Sequence, residues 1–365
     1  MIQTILAVCV VTLALHGCGA VRAVTSSDVD SSPARQRAIS RARVWMPTDV
    51  SAMNLKAGPS DPGAFPFLET VECTYYEEDF GGASPKFACR VPPDDRLKVK
   101  YGGTNAEVYA EVAATRLLWV LGFGADRMYP VRVVCRGCPR EFAGIARTDD
   151  VFVFDPAVVE REMPGHDFPG ESGWAWPELD AIEERAGGSP RAHVDALKLL
   201  AVFLQHTDTK PDNQRLICLD AAPAAAQAAG NGGKTDTTCQ RPFMLMQDVG
   251  LTFGAANALN TNDKGMSLAD WSAAPVWKEG TRCVGNLPRS LTGTLQDPVI
   301  SEEGRAFLAR LLVQLSDAQL RDLFEAARVH LRLRDPDDAQ SGFAAVDEWV
   351  SAFKQKRQAI VDRRC

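Results

Sequence analysis

The stretch His206-Thr207-Asp208-Thr209-Lys210-Pro211-Asp212-Asn213 brings together side chains whose types and spacing could do chemistry. It follows an apolar, helix-like run from Val194 to Leu204 and leads into a strand-like Arg215 to Leu219. Farther on, Asp248-Val249-Gly250 comes directly after another apolar strand, Phe243 to Met246. An Asp-x-Lys-x-x-Asn followed by a strand-borne Asp-x-Gly is the layout that phosphoryl transfer needs. One carboxylate orients the attacking hydroxyl, a Lys meets the moving phosphoryl, and an amide oxygen with a second carboxylate holds a divalent cation.

Elements upstream must supply the rest of such a site. Leu97-Lys98-Val99-Lys100-Tyr101 alternates as a strand does, with both lysines on one face. Gly102-Gly103 ends it, and Thr104 or Asn105 caps a helix running to Leu121 and stopped by Gly122. Val108, Val112, Thr115 and Trp119 form a stripe toward a core, with Glu111 beside it. An acid next to a buried face needs a cation, and a lysine of the preceding strand, Lys100 or Lys98, is the natural partner. Glu107, one turn earlier, competes for that role. Before this strand, Val71 to Tyr76 and Lys86 to Val91 read as a hairpin around Asp79 to Pro85. Gly81, Gly82 and Lys86 at its tip would let backbone and side-chain donors approach a phosphate.

Composition bounds these readings. The chain has 365 residues, is 45% apolar and carries a net charge of −7. That is ample for a real core and ill-suited to nucleic acid, whose binding domains are usually basic. Ile5 to Leu15 has the length and composition of the apolar part of an export signal. Leu15-His16-Gly17-Cys18 resembles a bacterial lipobox, which would make Cys18 a lipidation site; cleavage near Ala20 or Ala23 is the alternative. Ten cysteines less Cys9 and Cys18 leave eight, an even number that suits an oxidising compartment. These are Cys73, Cys89, Cys135, Cys138, Cys218, Cys239, Cys283 and Cys365. Cys73 and Cys89 flank Gly81 symmetrically, which predicts a bridge between directly opposed strand positions. Cys218 could be clipped to Cys239 across an Ala- and Gly-rich loop, and Cys365 to Cys283. Zinc on Cys135 and Cys138 would need a second pair at matching spacing.

Taken together, the order of parts is that of the protein-kinase fold. His206 to Asn213 matches the kinase catalytic loop at His, Asp, Lys, Pro and Asn, with Thr207 in place of Arg. Val249 replaces the usual Phe between Asp248 and Gly250. Glu111-Val112-Ala113-Ala114 through Gly122-Phe123 resembles the helix of the atypical secretory-pathway kinases, the Golgi casein kinase family, whose members are exported and disulfide-bonded.

The resemblance implies an α+β, two-lobed kinase-like fold. Its small β-rich N-lobe with one helix would span 66–155, and a larger, mainly helical C-lobe 156–365, with a loop insertion at 220–241. A signal or lipobox at 1–23 and a flexible linker at 24–65 would precede them. Asp208 would orient or deprotonate the acceptor hydroxyl and Lys210 would stabilise the transferring phosphoryl. Asn213 and Asp248 would hold Mg²⁺ or Mn²⁺, and Lys100, paired with Glu111, would hold the ATP phosphates under Gly81 and Gly82. His206 is expected to be a hydrogen-bonded structural residue.

The expected activity is an exported, ATP-dependent kinase acting on a hydroxyl of a protein or glycan, monomeric, in the envelope or periplasm or secreted. Its membrane contact would be through the N-terminal lipid alone. A pseudokinase, an envelope binding lipoprotein and a kinase-fold adenylyltransferase are the alternatives.

Overall fold

The computed structural model describes residues 32–139, 146–148, 151–168, 173–220, 239–261, 265–332 and 345–365. The export signal, Cys18 and most of the 220–241 insertion lie outside these residues. The chain mixes strands and helices. Six strands come from its first half: β1 (Thr70–Tyr76), β2 (Lys86–Val91), β3 (Asp95–Tyr101), β4 (Arg127–Arg136), β5 (Ala146–Thr148) and β6 (Val151–Arg161). Their order is β3-β2-β1-β4-β6-β5, and β3 also pairs with β6, so five of them close into a ring. Closure leaves β5 as an appendage on β6 and removes open edges from the rest.

Alternation fills this ring. Val71, Cys73, Phe87, Cys89, Leu97, Val99, Tyr129, Val131, Val133, Phe154 and Val159 point into one core, with Phe154 packed against Phe87 at 4.6 Å and Tyr101 at 4.7 Å between ring centroids. Lys98 and Lys100, on the opposite pleat, therefore face outward. Because β6 continues to Arg161 and closes the ring at residues 157–160, the expected boundary at 155 falls inside a strand and is corrected.

Outside the ring lies helix α2 (Glu107–Val120), packed on β3, β4 and β6. An apolar stripe was expected, yet the helix is buried almost all round, Glu111 and Arg116 included, with only Glu107 and Trp119 partly exposed. The residues before Pro66 explain this. Helix α1 (Pro33–Ser40) and the segment after it place Ala38, Ile39, Ala42, Val44, Val50 and Leu55 in the same core as α2. Arg116 donates to the carbonyls of Leu55 and Lys56. Trp45 Nε1 donates to the Leu121 carbonyl at 2.7 Å. Gly122, at φ +83°, is compelled by this contact, since a Cβ there would lie 2.0 Å from the Met46 carbonyl oxygen. The expected linker at 24–65 is thus structured from residue 32 onward. Its Ser-, Asp- and Pro-rich composition hid the few apolar residues that anchor it.

The second half supplies β7 (His166–Asp167), β8 (Gln214–Cys218) and β9 (Pro242–Met246), a three-stranded antiparallel sheet. Among the described residues five further helices are present: α3 (Arg191–Leu204), α4 (Leu268–Ala273), α5 (Glu302–Leu312), α6 (Asp317–Ala326) and α7 (Val346–Val361). Four disulfides join Cys73 to Cys89, Cys135 to Cys138, Cys218 to Cys239 and Cys283 to Cys365. The first is not between opposed positions: Cys89 faces Tyr75, so Cys73 reaches it diagonally. The Cys135–Cys138 bridge leaves those two thiols unavailable to zinc.

Candidate active site

Three elements converge on Lys100. It leaves the outer face of β3 and enters a cluster of acids, bonding Glu111 directly, with Glu107 Oε2 at 2.9 Å and Asp248 Oδ2 at 3.7 Å. The two glutamates come from successive turns of α2 and the aspartate from the turn after β9, so Glu107 and Glu111 both hold the lysine. Lys98 is turned elsewhere: it faces Glu160 across β6 and pairs with it at 2.7 Å.

Burial disfavours charge on Lys100, but Asp248, Glu111 and Glu107 together raise its pKa well above the usual value. Burial pushes the Glu111 carboxyl up, against the pull of Lys100. Burial would raise Asp248 too, yet Lys100, the Gly250 N–H and Lys98 hold it well below the ordinary carboxylate range. Carboxyl groups outnumber the single ammonium here, which favours a further cation.

Gly250 is needed for this gathering. A Cβ there would lie 2.5 Å from Glu107 Cγ, so the Asp-x-Gly turn can approach α2 only without a side chain. Val249, where a kinase usually has Phe, is wholly buried in the main core.

The β8–β9 hairpin joins the other half of the site. Gln214 pairs with Met246, and the Asn213 carbonyl accepts from the N–H groups of Gln247 at 2.8 Å and Asp248 at 3.2 Å. Asn213 Nδ2 donates to the Asp208 carbonyl at 2.8 Å, which fixes the amide. Asp208 and Lys210 approach each other at 3.4 Å. The hard oxygens of Asn213 and Asp248 suit Mg²⁺ or Mn²⁺, and the acid cluster around Lys100 adds to that suitability.

Gly82 is tied to the site through Lys86. A Cβ on Gly82 would lie 3.0 Å from Lys86 Nζ, whereas Gly81 has open space around it. Lys86 on β2 faces Lys100 on the neighbouring β3, and its pKa is lowered by burial and then by that neighbour. Beyond Lys98 opens a cavity of ≈ 450 Å³ lined by Tyr76, Phe80, Lys98, Glu160 and Gln247 among others. His206 differs from expectation: it is fully buried beside Trp176, and neither ring nitrogen has a hydrogen-bond partner among the described residues.

Residues that the motifs did not mark complete the loop. Asn260 Nδ2 donates to Asp208 Oδ1 at 3.0 Å, and Thr207 Oγ1 reaches the Asn257 carbonyl at 2.9 Å and Asn260 Oδ1 at 3.2 Å. Thr207 in place of Arg was the signal that this loop has different partners; nothing in the irregular stretch after Gly254 marked Asn260 itself.

No family model matches the chain, and no curated protein matches it. A solved structure, that of a Helicobacter pylori proinflammatory kinase CtkA, aligns with 81% of this chain and 96% of its own at 12% identity and a TM-score of 0.42. A likeness at that level decides nothing. The site stands on its own geometry.

Proposed function

We propose that the chain is a kinase-like phosphotransferase that moves the γ-phosphoryl of ATP to a hydroxyl, on a two-lobed kinase-like fold. The observation that carries this reading is the meeting of Lys100, Glu111 and Asp248, from three separate elements, beside a hairpin that fixes Asp208 and Asn213. Asn213 and Asp248 would hold the divalent cation, which when bound neutralises charge on the phosphates. Lys100 would bind the nucleotide phosphates, with Lys86 and the Gly81-Gly82 tip above them. The cavity beyond Lys98 is of a size to take a nucleoside. Asp208 takes the acceptor's proton, and Lys210 stabilises charge on the phosphoryl in flight.

Export to an oxidising compartment, with Cys18 as a lipid anchor, belongs to the same proposal and is supported by four disulfides. No helix among the described residues is long and apolar enough to cross a membrane. Kinship with the secretory-pathway kinases rests on the Glu111 helix motif alone.

A second reading has one observation in its favour. Asn260 donates to an oxygen of Asp208, the carboxylate assigned to the acceptor hydroxyl, as a pseudokinase that binds nucleotide without turnover could tolerate. Incubation with α- and γ-labelled ATP and Mn²⁺ separates the cases. The phosphotransferase reading expects γ-label on protein or added acceptor, lost in Asp248→Ala. Label from the α-phosphate indicates adenylyl transfer, and binding with no transferred label indicates the pseudokinase.

A further inference from the structure

The loop 289–295 grips both neighbours of Asp208. Ser290 Oγ donates to the Thr207 carbonyl at 2.8 Å, and Thr209 Oγ1 accepts from the N–H groups of Thr294 at 3.0 Å and Leu295 at 3.1 Å. Thr294 Oγ1 donates back to the Thr209 carbonyl at 2.7 Å. Gly293 allows the contact, since a Cβ there would lie 2.6 Å from Ser290 Oγ and 2.7 Å from Thr209 Oγ1. Such a loop is fixed relative to Asp208, and so is what it carries.

It carries Thr292, exposed beside Leu291, which is 71% exposed. The Asn260 amide that donates to Asp208 Oδ1 at 3.0 Å also donates to Thr292 Oγ1 at 3.1 Å. The Thr292 hydroxyl therefore lies no more than two hydrogen-bond lengths from the Asp208 carboxylate, with one side-chain amide between them. The other hydroxyls near Asp208 are committed and buried: Thr207 to Asn257, Ser290 to Thr207, Thr209 to the 294–295 backbone. Thr292 alone of this group is exposed, and among the described residues its hydroxyl hydrogen has no acceptor.

We propose that Thr292 is an intramolecular phosphorylation site, the first acceptor this active site modifies. The proposal rests on the phosphotransferase reading above. As Asn260 withdraws from Asp208, the Thr292 hydroxyl takes its place. Thr292 Oγ forms the new bond to the γ-phosphorus while the bond from that phosphorus to the β–γ bridging oxygen breaks. ADP leaves with the electron pair, and the hydroxyl proton passes to Asp208, giving phosphothreonine, ADP and a proton. Tethering the acceptor beside its base replaces a bimolecular encounter with an intramolecular one. The Asn260 contact then reads as a resting-state placeholder, not as a permanent block.

The test uses the full chain with γ-labelled ATP and Mn²⁺, phosphosite mapping, and ADP release measured in parallel. The expected result is one dominant phosphate on Thr292, formed at a first-order rate that does not change over about tenfold protein dilution. Thr292→Ser should yield phosphoserine at the same position. Thr292→Ala should lose that label while keeping its melting temperature and its phosphotransfer to an added acceptor. ADP release with Thr292 bare, a dominant label on another residue, or a rate proportional to protein concentration would overturn the proposal and leave the phosphotransferase reading standing. Neither ADP release nor label would sink both.

Discussion

Lys100 and Glu111 are 1% exposed each, so neither can be removed alone without leaving a buried group uncompensated. Lys100→Met is expected to lower stability by about 3–5 kcal/mol, the usual cost of breaking a buried ion pair from one side. Glu111→Gln added to it should recover most of that loss in a denaturant titration, but no phosphotransfer. Recovery of activity along with stability would show that Lys100 serves packing only. Asp208→Asn should keep nucleotide affinity while slowing transfer by about 10²–10⁴-fold, the range for losing a general base.

His206 supplies a pH signature. Burial lowers its pKa to about 4, with Asp208 and Asp248 pulling the other way. The folded state therefore keeps it neutral where the unfolded chain, near 6.5, takes a proton. Stability from this group is complete above that value and falls as pH drops from about 6.5 to about 4, by roughly 3 kcal/mol in all. Asp126 acts oppositely: burial raises its carboxyl to about 7, so its contribution favours the folded state at low pH and is lost as pH rises through that value. The clean readout is the difference between wild type and His206→Leu in urea titrations. Wild type should lose stability relative to the variant on acidification through this window, and parallel curves would contradict the assignment.

At the scale of elements, the site is assembled by two approaches of backbone. The Asp-x-Gly turn closes on α2 because Gly250 lacks a side chain, and α2 is in turn held by the chain wrapped around Gly122. Gly122→Ala should cost more than the roughly 1–3 kcal/mol of ordinary overpacking, because its Cβ meets an immovable carbonyl and its φ is positive. Thermal melting measures this, and an unchanged melting temperature would mean that the 42–56 segment is not docked as described.

These approaches also mark what the sequence could and could not disclose. The strand lysines, the α2 helix, both loop motifs and the disulfide-capable cysteines were legible because each has a periodic or spaced pattern. The choice of Lys100 over Lys98 was not, since both share one face of β3 and only the register with β6 assigns Lys98 to Glu160. The ring closure, the docked segment before Pro66 and Asn260 were illegible for a related reason. Each depends on contacts between distant parts of the chain, made by residues without local periodicity.

For the molecule as a whole, one disulfide closes a long loop. Cys283 and Cys365 are 82 residues apart and tie the last helix, α7, to the irregular stretch before α5. Replacing Cys365 with Ala should cost about 2–5 kcal/mol, mainly by freeing the unfolded chain. Chemical denaturation with and without reductant measures it, and an unchanged midpoint in the variant would show the bridge to be dispensable.

On the proposed reading, one nucleotide–metal site is shared between the outward face of the strand ring and the β8–β9 hairpin. Calorimetric titration of ATP into the full chain, with and without Mg²⁺ or Mn²⁺, tests it most directly. The expected result is one binding site that requires the metal and is lost in Asp248→Ala with the fold intact. Binding that is indifferent to both the metal and Asp248, or no binding at all to a folded protein, would contradict it.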